Sequence, residues 1–190
     1  MTAAPALRLV DTSTATTYNF RGDRSTWARC TINDSTGELS IQSDWGSWSH
    51  SWYIPHTGHA SLTAFFGERA SADYIAAKLL GRAGCTEFDI KATIAHLRGI
   101  VIEKRRDGRL DAWTARDLWD ELGEMDRDGA DGSADLFIER WMVSGNEELR
   151  IISEEPWEDI QHRPTRGYRA LVDIILPALI AECSKAAAHA

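Results

Sequence analysis

The chain has 190 residues, of which 43% are hydrophobic and 26% charged, and its formal net charge is −8. This composition excludes a wholly disordered or fibrous protein, and the length suffices for one domain with a hydrophobic core. No apolar run approaches the ~20 residues of a membrane helix, and no secretory leader is visible, so we expect a soluble, intracellular protein.

The first third of the chain predicts an antiparallel sheet of three to five strands. Apolar and polar residues alternate in several segments, as is typical of strands with one buried face. The segments are residues 7–11, 17–21, 27–33, 39–45 and 48–54. Asp34 and Ser35 can bond their own backbone and Gly37 tolerates a positive φ, so a hairpin turn is predicted between the third and fourth segments.

From about residue 61 the hydrophobic period changes to that of helices. The predicted helices cover residues 71–80, 87–106, 114–126, 134–143 and 165–187. Ser71 is the predicted N-cap of the first helix. Thr86 with Asp89, and Thr114 with Asp117, resemble capping boxes for the next two.

Together these elements predict an α+β fold, in which an N-terminal antiparallel sheet is followed by about five helices that pack on it. We expect a single domain over residues 1–190, mainly sheet in 1–60 and mainly helical in 61–190. Pro177 should kink the last helix because it lacks a backbone donor. Residues 149–152 could add a short strand. The predicted inner face of the helix at 114–126 consists of Ala115, Leu118, Trp119, Leu122 and Met125.

Charge is distributed unevenly along the chain. Residues 110–161 contain sixteen Asp or Glu against four Lys or Arg, whereas residues 61–109 contain six against nine. Clustered carboxylates repel one another, so such a surface indicates either a basic partner or simply a solvated acidic face. The candidate partner-binding residues are Asp117, Asp120, Glu121, Glu124, Asp126, Asp128 and Asp131.

Metal binding has weak support. His50, His56 and His59 lie within ten residues, and their spacing could place imidazoles near one ion. They lack HExxH spacing and a CxxC partner, so ordinary turn and sheet histidines are the favoured interpretation. The loop from Asp126 fails as an EF-hand because Phe137 replaces the bidentate Glu. We expect no metal and no other cofactor.

Catalytic motifs are also missing from the sequence. It contains no GxSxG elbow, P-loop or dinucleotide fingerprint. Cys30, Cys85 and Cys183 have no CxxC spacing, so we expect reduced and mostly buried thiols. Cys30 or Cys85 could be a nucleophile only if a histidine contact lowered its pKa. The chain is therefore expected not to be an enzyme.

Four tryptophans of the strand region, Trp27, Trp45, Trp48 and Trp52, could form a stacking platform for single-stranded nucleic acid. The region is near neutral, however, and strong binding to a phosphate chain requires Lys or Arg. We therefore favour tryptophans of the core. The basic run 104–106 is explained by the helix macrodipole and by solvation, or else by a small phosphate contact.

Three segments are similar to a group of small phage and prophage accessory proteins of proteobacteria. They are WARCTIND at 27–34, GELSIQSDWG at 37–46 and DYIAAKL at 73–79. The resemblance covers about residues 17–80, and some members of the group lie among anti-defence genes. It implies a phage-encoded inhibitor of a host defence system, namely an anti-CRISPR protein that acts on a type I surveillance complex in the host bacterial cytoplasm.

Charge and resemblance together predict an inhibitor whose acidic, DNA-mimicking surface occupies a basic nucleic-acid-binding host protein, such as a type I Cas subunit. No membrane or small-molecule partner is expected. The alternative is a phage accessory protein that binds nucleic acid or a phage component through the tryptophan-rich sheet. A third hypothesis is a metal-dependent enzyme that uses the three histidines.

Overall fold

A computed structural model describes residues 12–127, 133–143, 152–153 and 155–189 of the chain. The fold is α+β, as predicted: an N-terminal four-stranded antiparallel sheet is followed by helices. The strands are β1 (Thr16–Arg21), β2 (Trp27–Asn33), β3 (Glu38–Ser43), β4 (Gly46–Ser51), β5 (Thr86–Phe88) and β6 (His162–Pro164). The helices are α1 (Ile54–Thr57), α2 (Leu62–Glu68), α3 (Ala72–Cys85), α4 (Ile90–Arg106), α5 (Ala112–Arg127), α6 (Ala134–Val143), α7 (Arg166–Ala170), a π-helical segment (Leu171–Ile175) and α8 (Leu176–Ala188).

The chain forms two compact units. The sheet unit consists of the described residues up to Cys85 and those from Arg166 onward, and the helical unit is Thr86–Thr165. Each has its own hydrophobic cluster. The expectation of a single domain stays a prediction, because compactness does not show whether the two units unfold together.

The sheet has the strand order β1-β2-β3-β4, and each neighbouring pair is antiparallel. Cys30 lies opposite Ile41, and Ile41 lies opposite Trp48, so their side chains share one face. The strands predicted at 39–45 and 48–54 end too late. β3 ends at Ser43 because a turn follows it, and β4 ends at Ser51 because the chain enters α1. The segment predicted at 7–11 lies outside the described residues.

The β2–β3 turn links the sheet to a helix. Asn33 Oδ1 accepts hydrogen bonds from the backbone N–H and the hydroxyl of Ser35, at 3.1 and 2.7 Å. Asp34, predicted to bond its own turn, instead accepts bonds from the N–H and hydroxyl of Thr63, at 2.8 and 2.9 Å. The carboxylate thereby fixes the first turn of α2 to the hairpin.

The core of the sheet unit lies between the sheet and helices α2, α3 and α8. Its buried members include Cys30, Ile32, Leu39, Ile41, Leu62, Phe66, Ile75, Leu171, Leu176 and Leu179. Helices α2 and α8 approach closely at Gly67, where a Cβ would lie 2.9 Å from the backbone of Cys183. The Ser184 hydroxyl donates to the Gly67 carbonyl oxygen across this contact, at 2.8 Å.

Helices α3 and α8 of the sheet unit each show a local feature at a residue that the sequence singled out. The Tyr74 N–H donates to Ser71 Oγ at 3.2 Å, which confirms Ser71 as the cap of α3. α3 is broken at Gly81, which has φ 68° and ψ 168°. The kink predicted at Pro177 stays a prediction; directly before this residue the structure has the π-helical segment, where the Leu176 N–H donates to the Leu171 carbonyl oxygen. A π-type turn of this kind changes the bonding pattern next to a residue without a donor.

The helical unit combines a short two-stranded sheet with α4, α5 and α6. β5 pairs antiparallel with β6, a pairing that the sequence analysis missed. The buried side chains are Phe88, Ile94, Leu97, Val101, Leu110, Leu118, Leu122, Met125, Phe137, Trp141, Ile152 and Ile160. Only the last residue of the strand predicted at 149–152 is described, and it does not lie in a strand. Among the described residues, no helix is both long and apolar enough to cross a membrane.

Both predicted capping boxes of this unit were wrong about which residue is the N-cap. Thr86 lies in β5 because it pairs with Pro164, and Asp89 itself caps α4 by accepting from the Ala92 N–H at 3.0 Å. α5 begins before the predicted Thr114, because Asp111 accepts from the Thr114 N–H at 2.9 Å. In each case an aspartate supplies the cap.

Candidate partner-binding surface

Four of the predicted partner-binding carboxylates share one side of α5. Their spacing is i, i+3, i+4 and i+7, which places side chains in one row along a helix. We define the acidic stripe as Asp117, Asp120, Glu121 and Glu124. Leu118, Leu122 and Met125 form the buried side of the same helix, so the stripe occupies an adjacent side. Three of its residues are exposed, and Glu121 is half-buried.

An arginine pairs with one member of the stripe. Arg116 Nε lies 3.0 Å from Asp120 Oδ2, and the two side chains are 78% and 61% exposed. An exposed pair at i,i+4 spacing contributes only about 0.3–0.5 kcal/mol, because water screens it. The pair with Arg116 therefore does little to offset the carboxylate of Asp120.

A basic groove borders the stripe. It lies between α4 and α5 and has a volume of about 610 Å³. Arg105, Arg106 and Arg116 line it together with Asp120. Asp120 therefore belongs to both the stripe and the groove, and the negative surface of α5 ends at this residue on the side of the arginines.

Asp126, the fifth predicted residue that the structure describes, does not extend the stripe. Asp126 is half-buried and follows Glu124 by two residues, a step that turns its side chain by about 200° around the helix axis. Asp128 and Asp131 lie outside the described residues. Of the five predicted carboxylates that the structure describes, four share one side of α5.

Trp113 is a surface residue that the sequence analysis missed. Its side chain is 72% exposed. It precedes Asp117 by four residues and Asp120 by seven, so it lies in line with the acidic stripe at the start of α5. Its spacing from Asp117 and Asp120 could have identified it, but only if the predicted helix had begun at Ala112.

Asp111 fixes the start of α5 and with it the position of Trp113. Its Oδ1 accepts from the N–H groups of Trp113 and Thr114, at 2.8 and 2.9 Å, and its Oδ2 accepts from the Thr114 hydroxyl at 2.9 Å. The bonds from Thr114 are the main reason that the pKa of Asp111 is lowered. The Asp111 carboxylate therefore caps α5 and is not part of the acidic stripe.

Trp119 was wrongly predicted to lie on the inner face. It is 37% exposed, and the Arg98 guanidinium lies 4.7 Å from its ring centroid. Trp119 follows Leu118 by one residue, which turns it about 100° away from the buried side. Its ring contributes to the wall of the basic groove.

The three clustered histidines have separate neighbours. The ring of His50 packs edge-on against Trp52, with centroids 4.5 Å apart, and His56 packs likewise against Tyr53 at 4.7 Å. His59 Nδ1 lies 3.5 Å from Glu68 Oε2. Burial, and then the nearby Lys78 charge, lower the pKa of His50. Within the described residues, no three His, Cys, Asp or Glu side chains are grouped so that they could hold a metal ion.

The cysteines are free thiols in different surroundings. Cys30 and Cys183 are buried in the core of the sheet unit, and burial is the main reason that the pKa of each is raised to about 12. A thiol with this pKa is protonated near neutral pH and is a poor nucleophile. Cys85 is half-buried, and its Sγ donates to the Gly81 carbonyl oxygen at 3.2 Å.

The tryptophans of the sheet do not form a stacking platform. Trp52 is buried, Trp45 and Trp48 pack partly buried against the same core, and Trp27 is 38% exposed. The opposite face of the sheet is polar. Its side chains include Thr17, Asn19, Arg29, Thr31, Ser40 and Gln42.

Comparison with known families places the chain among phage proteins. A model described as a phage family, Phage_phiTE_072, matches residues 10–185. The chain belongs to this family. The predicted relation to phage proteins is thereby confirmed, and the match extends beyond the segment 17–80 to nearly the whole chain. No curated protein and no solved structure matches the chain.

Proposed function

We propose that this phage protein is a non-enzymatic inhibitor that binds a basic, nucleic-acid-binding surface of a host defence protein. The observation that carries the proposal is the acidic stripe on α5, with Trp113 exposed in line with it. The target that we favour is a type I CRISPR surveillance complex in the bacterial cytoplasm, which would make the protein an anti-CRISPR protein.

The charge density of the stripe supports a mimic of nucleic acid. From Asp117 to Glu124 the helix rises about 10.5 Å, at 1.5 Å per residue. One strand of DNA carries a charge about every 3.4 Å, so about three phosphates occupy the same length. The stripe has four carboxylates over that length, and Arg116 pairs with one of them, Asp120. A groove that binds a phosphate chain would meet a similar field.

Trp113 supports binding to a protein partner. A tryptophan that is 72% exposed leaves a large apolar surface in water. Such residues are enriched among the few that dominate interface energies, whereas peripheral charges mainly steer association and set its salt dependence. We assign Trp113 as the anchor and the stripe as the charged part of the interface.

The experiment measures binding of the full chain to purified type I Cas complexes by biolayer interferometry at increasing salt. The variant Asp117→Asn/Glu121→Gln/Glu124→Gln removes three charges from the stripe. We expect an affinity loss of about 10- to 100-fold at low salt, since each charge pair contributes about 0.5–1 kcal/mol. Trp113→Ala should lower the affinity by a comparable factor and leave the salt dependence unchanged.

The matched control removes three carboxylates elsewhere in the helical unit. Glu103, Glu139 and Glu158 are exposed and lie off α5, so the variant that changes all three to Gln keeps the same net charge as the stripe variant. An equal loss of affinity in both variants would show that only total charge matters. A salt-independent affinity, or absence of binding to every complex, would refute the proposal.

A further inference from the structure

A pocket of about 620 Å³ opens in the sheet unit where the end of β4, α1, α2 and the start of α3 meet. Its volume lies within the range of small-molecule sites, about 300–1,000 Å³. It is lined by His50, Ser51, Trp52, Tyr53, His56, Thr57, Phe65, Arg69, Ala70, Ser71, Tyr74 and Lys78. This lining combines aromatic rings, basic side chains and hydroxyl groups.

The charge of the lining favours an anion. Arg69 and Lys78 contribute two cationic side chains, and none of the described lining residues is Asp or Glu. Two carboxylates that are close in sequence have other contacts. Glu68 lies 3.5 Å from His59, and Asp73 accepts a hydrogen bond from the Tyr168 hydroxyl at 2.8 Å. The described lining therefore presents two positive charges and no carboxylate, although the whole chain carries −8.

The start of α3 adds to this field. Ser71 is the N-cap of α3 and lines the pocket. The N-terminus of a helix carries a partial positive charge and directs backbone N–H groups outward, an arrangement suited to phosphate groups. The helix end and the two cationic side chains thus favour the same kind of ligand group.

The aromatic side chains favour a ligand with a planar ring. Tyr53 and Tyr74 are 66% and 39% exposed, which is high for tyrosines that line a cavity. The Phe65 ring packs edge-on against Tyr74 at 5.9 Å and holds it in place. Lys78 Nζ lies 5.8 Å from the Tyr74 centroid, so a cation stands beside a ring face. A base stacked on a tyrosine would place its phosphate within the reach of this cation.

Trp52 is the buried part of the pocket lining. It is only 6% exposed, and its ring packs edge-on against His50 and Phe66, with centroids 4.5 and 5.2 Å away. These contacts fix the aromatic wall of the pocket to the core of the sheet unit.

We propose that this pocket binds a nucleoside phosphate, with the base against Tyr53 or Tyr74 and the phosphate on Arg69 and Lys78. This site is separate from the acidic stripe and departs from the expectation that no small molecule is bound. A free nucleotide fits better than a nucleic-acid strand. A strand requires a basic track along its length, whereas the described outer face of the sheet presents mainly neutral polar groups beside Arg29.

The test is isothermal titration calorimetry of the full chain with the four ribonucleoside 5′-monophosphates, adenosine, inorganic phosphate and the oligonucleotide dT10. At least one monophosphate should bind at one site per chain, about tenfold or more tighter than adenosine or phosphate alone, because both parts of the ligand contribute. Lys78→Gln, an exposed position that folding tolerates, should weaken binding by about tenfold or more. Tyr74→Leu should weaken it and remove the preference for a base.

Arg82→Gln is the control, since Arg82 is an exposed cation of α3 that does not line the pocket. It should leave the nucleotide affinity unchanged. Equal losses in Lys78→Gln and Arg82→Gln, binding of dT10 without binding of any monophosphate, equal affinity for phosphate and nucleotides, or no binding to any monophosphate would each overturn the proposal. None of these results depends on the acidic stripe, so this site and the proposed function fail independently.

Discussion

The acidic stripe of α5 and the pocket at the start of α3 have opposite electrostatic character in one chain. The stripe presents four carboxylates and one paired arginine, whereas the described lining of the pocket contains Arg69 and Lys78 and no carboxylate. A net charge of −8 describes neither region. Partner chemistry depends on which charges the fold brings together, because screening limits the reach of each charge to about 8–10 Å in physiological salt.

The largest expected effect concerns whether the two units that carry these regions unfold together. Leu39 in the sheet unit and Leu122 in the helical unit are both fully buried. Either change to Ala should lower the free energy of unfolding by about 2–5 kcal/mol, through lost burial and a new cavity. With a single domain, urea unfolding followed by circular dichroism should show one transition that both variants shift. Two transitions, each shifted by one variant only, would contradict the single domain.

A substitution at Gly37 tests whether the turn that contacts Trp52 supports the pocket. Gly37 has φ 70°, and a Cβ there would lie 2.1 Å from the Trp52 carbonyl oxygen. Gly37→Ala should therefore cost about 2 kcal/mol or more in thermal or urea unfolding and should weaken nucleotide binding, since Trp52 would shift. Gly58→Ala is the control, because Gly58 has φ 74° but nothing within 4 Å of an added Cβ. An equal cost for both variants would show that the contact with Trp52 is unimportant.

A smaller effect tests what supports the stripe. Asp111→Ala should reduce the helix content measured by circular dichroism and weaken partner binding through Trp113, because the cap of α5 is lost. Asp111→Asn should retain most of both, since its oxygen can still accept. The pKa of Asp111 is lowered in the fold, so its contribution is present above its unfolded pKa and is lost as pH falls through the folded value. A loss on raising the pH would contradict this assignment.

The smallest expected effect sharpens the electrostatic comparison. Arg116→Gln removes the exposed pair with Asp120, which should change the free energy of unfolding by no more than about 0.5 kcal/mol. It also makes the stripe more negative by one charge, so binding to a basic partner should become tighter at low salt. Arg109→Gln makes the same change of charge before α5 begins and should strengthen binding less. Weaker binding of Arg116→Gln would show that Arg116 itself contacts the partner.

Much of the fold could be predicted from local pattern. Alternation placed β2, and helical periodicity placed α4 and α6 within a few residues. Local pattern did not predict α1, α2 or the pairing of β5 with β6, because these elements are short and their stability comes from contacts with distant segments. Glu87 and Arg163 illustrate this, since their 2.8 Å ion pair joins residues 76 positions apart.

For the candidate site, residue spacing in the sequence shows that carboxylates concentrate near α5 and that four of them share one side of a helix. Two further features emerge only from the folded chain: Asp111 sets the start of the helix and so brings Trp113 into line, and Asp126 turns away from the stripe. Folding also assembles the pocket from β4, α1, α2 and α3, and no local motif predicts it. The physical reason is that spacing fixes the direction of a side chain within one element, whereas the position of that element depends on burial against others far away in the chain.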